Sequence, residues 1–251
     1  AILLLCPWKT DAFTLVENDD WKVQMLGFAI GYLYNDSSRS LTEIQGSTPI
    51  ARAGTMDGDN GRTQFSSRGA RFGFGVIMPT TNGWKTKGLV ESDFLGYEPT
   101  PGNVAGNTEI SFFNNPTLRL RHAYVDTQKN GWQFLVGQYW DLLGWDTDFA
   151  LQTAGQPPVT GVVFQRTTQF RIMKTTAITE TLNLETGGSL NRSPQRDAEV
   201  PSFVLASRLT FKGRRAGFAA WTWDQKALPM MIAVSGTIRR FETGIAGGST
   251  T

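Results

Sequence analysis

Glu91 and Asp93 are the residues of this sequence that most invite a chemical reading. Two carboxylates at i and i+2 on an extended strand lie ~6.5–7 Å apart at Cα. That spacing is compatible with the acid and base that flank a scissile glycosidic bond. Alternating acids are also common on any wetted strand face, so the pair reads equally as charge on a solvent side. His122 is the one histidine and Cys6 the one cysteine. A Ser–His–Asp relay or a histidine metal site would have to use that imidazole. A lone thiol builds neither an intrachain disulfide nor a zinc quartet. Asp57-Gly58-Asp59-Asn60-Gly61 alternates oxygens as a hard cation requires but lacks the closing Glu of an EF-hand loop. It reads as a polar loop tip. The expectation is a chain without catalytic residues, metal or cofactor.

A different chemistry is written in the arginines. Arg71, Arg119, Arg121, Arg171, Arg208 and Arg239, with Lys87, recur at strand-like spacing beside Glu91, Asp93 and Glu185. A guanidinium keeps its charge at any physiological pH and grips carboxylates in a two-pronged fork. Two readings stay open. The arginines form a ladder that lowers the barrier for anionic solutes, or they pair the acids across a wall. Asp141, Asp146 and Asp148 lie in one long connection. They read as the acidic side of a constriction facing the basic wall, or as an ordinary acidic surface loop. Trp145 beside them is placed to anchor that loop.

The elements that must position these residues are strands. The 251 residues are 40% hydrophobic and only 18% charged, below the ~25% of an average soluble domain. They include 27 Gly and 16 Phe, a mixture that suits a wall between lipid and a wet lumen. Net charge is +2, and the absence of a Lys/Arg block argues against nucleic acid. No apolar run reaches the ~18–20 residues of a spanning helix. Ala1–Pro7 is too short and uncharged for a signal sequence. Leu5 occupies the place where a lipoprotein box needs a small residue, so this stretch reads as a short packed or paired segment.

Period-2 alternation predicts ten strands at 21–34, 65–78, 84–96, 117–128, 131–140, 162–173, 176–187, 202–212, 215–225 and 229–242. Short connections fall at Thr80–Gly83, Lys129–Gly131, Lys174-Thr175 and Gly213-Arg214, and two of them hold the Asn-Gly hairpin signal. Long polar ones fall at Asp36–Arg62, Tyr97–Pro116, Asp141–Gly161 and Gly188–Pro201. This alternation of tight and long connections is the asymmetry of an outer-membrane barrel. Only Lys226–Leu228 breaks it. Asp11–Asp20 is the nearest thing to a linker, which divides the chain into an N-terminal segment, 1–20, and a barrel, 21–251.

Several strands have two unlike faces. Ala70, Phe72, Phe74, Val76 and Met78 oppose Gly69, Arg71, Gly73 and Gly75. Val90 and Phe94 oppose Lys85, Lys87, Glu91 and Asp93. Leu118, Leu120, His122 and Tyr124 oppose Arg119, Arg121, Ala123 and Val125, which points His122 outward. Glu180 falls on an otherwise apolar side. Trp21, Tyr34, Trp84, Trp132, Trp140, Trp221 and Trp223 sit mostly near strand ends, as interfacial girdles do. A soluble sandwich would turn the charged faces to solvent; a barrel turns the apolar faces to lipid.

Four stretches carry a more specific signal: Ser67–Phe74 (SRGARFGF), Leu89–Gly96 (LVESDFLG), Leu118–Val125 (LRLRHAYV) and Trp132–Trp140 (WQFLVGQYW). In order and spacing they resemble the DcaP-type porins, outer-membrane channels associated with dicarboxylate uptake. The resemblance covers roughly 21–212. It implies an all-β antiparallel transmembrane barrel, commonly a homotrimer of sixteen-stranded units, without cofactor. It also implies an inward-folded loop after the fifth strand, here Asp141–Gly161. The tail Gly247–Thr251 reads as a loop where such proteins usually end in a final strand, so the ten strands are expected to be part of a larger barrel. The expected function is passive diffusion of small polar or anionic solutes through a Gram-negative outer membrane, with the bilayer and lipopolysaccharide as surroundings. A scaffold barrel that holds partner proteins and a secreted carbohydrate-binding sandwich are the alternatives.

Overall fold

The computed structural model describes residues 12–18, 20–38, 52–96, 117–145, 165–194, 199–215 and 229–240. They form twelve strands and one helical turn: β1 (Phe13–Glu17), β2 (Lys22–Phe28), β3 (Tyr32–Asp36), α1 (Met56–Asp59), β4 (Arg62–Ser66), β5 (Arg71–Ile77), β6 (Lys85–Asp93), β7 (Arg119–Lys129), β8 (Trp132–Trp140), β9 (Arg166–Thr179), β10 (Leu182–Asn191), β11 (Ser202–Arg215) and β12 (Pro229–Ile238). Ten make one antiparallel sheet in the order β1-β2-β5-β6-β7-β8-β9-β10-β11-β12, with β1 and β12 as its edges, and β3-β4 form a separate hairpin. The sheet is not closed among the described residues.

The expected all-β antiparallel architecture is what folds. Asn82-Gly83 and Asn130-Gly131 have φ of 51° and 79°, and 50° and 77°, the paired left-handed conformation of a type I′ hairpin turn. Elsewhere the boundaries differ from those expected. Phe13–Glu17, in the segment read as preceding the barrel, pair with β2. The strand expected at 21–34 divides into β2 and β3, and that at 65–78 into β4 and β5. The hairpin expected at Lys174-Thr175 turns instead at Glu180-Thr181. Gly213 makes no hairpin with Arg214. It adopts φ +79° within β11, beside a register shift between Phe211 and Arg215. β11 then pairs directly with β12. The strand expected at 215–225 and the connection Lys226–Leu228 lie outside the described residues, apart from the last residue of β11.

Register puts the apolar side chains on one face. Met25 pairs with Phe74 and Phe74 with Val90. Val136 pairs with Phe170, Phe170 with Leu190, and Leu190 with Phe203. These side chains are exposed: Val90 at 51%, Val136 at 54% and Val234 at 68%. A soluble sheet buries such a face. Here the buried face is the other one, which holds Asp93, Arg121, Asp126, Gln169, Arg171 and Asn191. The molecule is therefore inverted relative to a water-soluble sheet.

Gly137 is a close-approach position within this wall. Its φ is +121°, and a Cβ there would lie 2.1 Å from the Ala123 carbonyl oxygen across the β7–β8 pair. Gly137→Ala is expected to cost about 1–3 kcal/mol through strain and strand displacement. A lowered urea midpoint, relative to an alanine at the open Gly236, would show it.

Candidate functional site

The charged face is organised around Asp93, which has no exposed surface. Register sets Asp93 between Arg71 of β5 and Arg119 of β7. Arg119 donates from Nε and Nη2 to the two carboxylate oxygens at 2.9 and 2.6 Å. Arg121 donates from Nη1 to the same carboxylate at 2.7 Å and from Nε to Glu91. Arg71 approaches Glu91 at 3.8 Å. The β6–β7 register slips between Glu91 and Ser92, leaving Arg121 as the extra residue of a bulge. A bulge sets two residues opposite one and redirects side chains. Here it lets Arg119 and Arg121 both reach the acids of β6.

The same bulge reverses the expected direction of His122. Past it, His122 pairs with Glu91, and Asp126 pairs with Lys87, so His122, Tyr124 and Asp126 lie on the charged side. Ala123 and Val125 join Leu118 and Leu120 on the apolar side. His122 is 6% exposed. It packs against Tyr124, Tyr139 and Trp140, with ring centroids at 6.1, 5.3 and 5.6 Å. The alternation that turned it outward assumes an unbroken strand.

Most of the other predicted cations are paired too. Lys87 lies 3.5 Å from buried Asp126, and Arg208 contacts Glu185 at 2.6 Å. Arg171 donates to Gln169 Oε1 at 2.9 Å and to the Trp140 carbonyl. Arg239 stands 3.9 Å from Asp141. Cross-wall pairing, one of the two readings of the arginines, is therefore present at every predicted position except Arg171, which uses neutral acceptors in the contacts named.

The connection after β8 turns onto this face. Asp141 is 3% exposed and accepts from Leu143 N, Gln165 Nε2 and Asn191 Nδ2 at 3.0, 2.7 and 2.9 Å. It thus ties the loop base to β10. Leu142 and Trp145 pack on Met173, Val204 and Ala206. Gly144 N donates to Ser235 Oγ at 2.8 Å, and Trp145 Nε1 donates to the Val234 carbonyl at 3.3 Å. Arg208 stacks over the indole at 4.5 Å. In a flat sheet β12 would lie four strand spacings, about 19 Å, from β8. The turn 142–145 is compact, so the sheet curves around this face. Trp145 anchors the loop as its position suggested. Asp146 and Asp148 lie outside the described residues.

The other sequence candidates resolve simply. Asp57 and Asp59 belong to α1, capped by Thr55, and Asp59 accepts from Gly54 N at 2.9 Å. Among the described residues no group of three or more His, Cys, Asp or Glu is arranged to hold a metal. Cys6 lies outside them. Asp126, Gln169 and Asn191, buried members of the charged face, were not singled out by sequence. Gln169 shares parity with Arg171 on one expected strand, whereas Asp126 shows itself only once the bulge is placed and Asn191 only once β10 is carried past residue 187.

A continuous run of paired antiparallel strands, apolar on the exposed face and charged on the buried one, with the turn 142–145 packed on the charged face, is the geometry to set beside known proteins. No family model matches the chain, and no curated protein matches it. Among solved structures, it is similar to the crystal structure of the outer membrane channel DcaP of Acinetobacter baumannii, with 19% identity and a TM-score of 0.50 over 79% of this chain and 51% of that one. By fold, the sheet is similar to a β-barrel porin. The chain spans about half the length of that channel. The likeness carries the architecture: an antiparallel wall with hardly any helix.

Proposed function

We propose that this chain forms wall of an outer-membrane porin, a passive channel for small polar or anionic solutes such as carboxylates, working without cofactor or catalytic step. One observation carries the reading: the exposed face of the sheet is apolar and the buried face is charged, with the turn 142–145 packed on it. Lipid on the first face and a wet lumen on the second account for both. The fold likeness to an outer-membrane channel supports it. In the bilayer the edges β1 and β12 have to be paired, because each unsatisfied amide costs several kcal/mol there. A closed barrel, assembled as a trimer in a Gram-negative outer membrane, supplies that pairing.

Selectivity follows from the charged face. Among the described residues Lys22, Arg71, Lys85, Lys87, Arg119, Arg121, Arg171, Arg208 and Arg239 share it with Glu17, Glu91, Asp93, Asp126, Asp141 and Glu185. Cations outnumber carboxylates, so a mild anion preference is expected. The test is planar-bilayer conductance with reversal potentials in asymmetric salt. Discrete channels with an anion-selective potential are expected. A protein that is soluble without detergent and inserts no channels would sink the proposal. Val136→Arg, at an exposed apolar position in mid-β8, is expected to cost about 2–4 kcal/mol of folding in lipid. It should reduce the folded fraction in vesicles while leaving secretion of unfolded chain unchanged.

A further inference from the structure

Arg166 stands apart from the paired cations. It opens β9 at the long-connection end of the sheet. Its guanidinium stacks on the Trp140 ring at 4.8 Å. Its Nη1 is buried without a hydrogen-bond partner, and no carboxylate among the described residues forms an ion pair with it. An orphaned buried donor calls for an unseen partner. Stacking on an indole occupies a face of the guanidinium and leaves its N–H edge to bind.

That edge borders a cavity of about 210 Å³ lined by Gln138, Gln165, Arg166, Thr168, Arg192 and Ser193, among others. The second arginine, Arg192, is exposed. The segment holding it is fixed on β9: Arg192 N donates to the Thr168 carbonyl at 2.9 Å, and Thr167 Oγ1 donates to the Arg192 carbonyl at 3.3 Å. Ser193 Oγ is a second buried polar atom without a partner. Gln165 and Gln138 are engaged with Asp141 and with the Leu120 and Arg121 carbonyls. They are held as walls, and Arg166, Arg192 and Ser193 stand among the donors that remain. The cavity is smaller than the ~300–1,000 Å³ of sites for drug-sized ligands, and suits a small ion or a single head group.

We propose that Arg166, Arg192 and Ser193 form a binding site for a phosphate-type oxyanion at the rim of the sheet, beside the paired network around Asp93. Two guanidiniums and a hydroxyl match a tetrahedral anion with several acceptor oxygens. The phosphate is either free in solution or carried on a lipid head group.

Full-chain protein refolded in detergent decides it with two probes. Inorganic phosphate is titrated by calorimetry, and phosphorylated lipid A is compared with dephosphorylated lipid A by native mass spectrometry. Each is run on the unaltered protein, on Arg166→Gln and on Arg192→Gln, with Lys212→Gln as a remote control. Arg192 is exposed, so its variant retains the fold even if Arg166→Gln does not. The expected result is at least tenfold weaker binding in both site variants and none in the control. Loss confined to inorganic phosphate assigns a free anion. Loss confined to phosphorylated lipid A assigns a membrane head group. Equal binding by Arg192→Gln and the unaltered protein for both probes overturns the site. Neither probe reads conductance, so failure of the channel proposal would leave this result standing, and the reverse also holds.

Discussion

Asp93→Ala should destabilise the protein by about 3–5 kcal/mol, the cost of removing one partner from a buried ion pair. Asp93 has no exposed surface and serves two guanidiniums at once. Its loss leaves Arg121, itself 5% exposed, with Glu91 alone, and Arg119 with no acid in hydrogen-bond contact among those described. The measurement is urea unfolding in detergent followed by tryptophan fluorescence. Asp93→Asn keeps the shape and two acceptor lone pairs but not the charge, so it should fall between the two. Replacing Asp93, Arg119 and Arg121 together by apolar residues of similar volume should recover much of the loss, since the desolvation cost disappears with the charges. A triple variant no better than Asp93→Ala would mean that strand geometry, rather than charge balance, depends on this cluster.

Trp145→Ala is expected to free the loop. The indole is 7% exposed, packs on Met173, Val204 and Ala206, and carries both the Arg208 stack and the hydrogen bond to Val234. Truncating a buried tryptophan costs about 3–5 kcal/mol. At 1.4 kcal/mol per factor of ten, the docked-to-free ratio should fall by about two to three powers of ten. The global unfolding midpoint should move less, because the sheet pairs without the loop. Limited proteolysis next to Trp145 should accelerate, and single-channel conductance should rise with a looser size limit. Unchanged proteolysis with a lowered midpoint would make Trp145 a part of the wall's core instead of a latch. Trp145→Phe, which keeps the packing and loses the Nε1 donor, should retain most of the docking.

Much of the wall was legible because its two faces differ so sharply. Phe72, Phe74 and Val90 against Arg71, Glu91 and Asp93 is a pattern that only a two-faced strand produces, and Asn-Gly between such runs marked two turns correctly. What was not legible has local causes. A bulge adds one residue without any composition signal, so every parity assignment in β7 beyond Arg121 inverted, His122 first among them. The β9–β10 turn uses Glu180-Thr181, which carries no Gly, Asn or Pro. The odd place of Glu180 on an apolar side was its trace, since a turn residue has no side to obey. Gly213 shows the opposite ambiguity: a left-handed glycine serves a turn or a bulge equally well, and here it serves the bulge. At the candidate site, sequence could name the charges but not their partners. Whether an arginine is free or paired depends on register to within one residue.

The loop after β8 also has a consequence in time. Neighbouring strands pair over at most 55 residues (Lys22 with Ile77), while Gly144–Ser235 and Trp145–Val234 join positions 91 and 89 residues apart. Closing so long a span costs more chain entropy than closing a hairpin. Its docking surface on Met173, Val204, Ala206 and Ser235 does not exist until β9 to β12 have assembled. The wall must therefore zip first and the latch set last. During biogenesis the chain passes through a stage in which the sheet is complete and its charged face still lies uncovered.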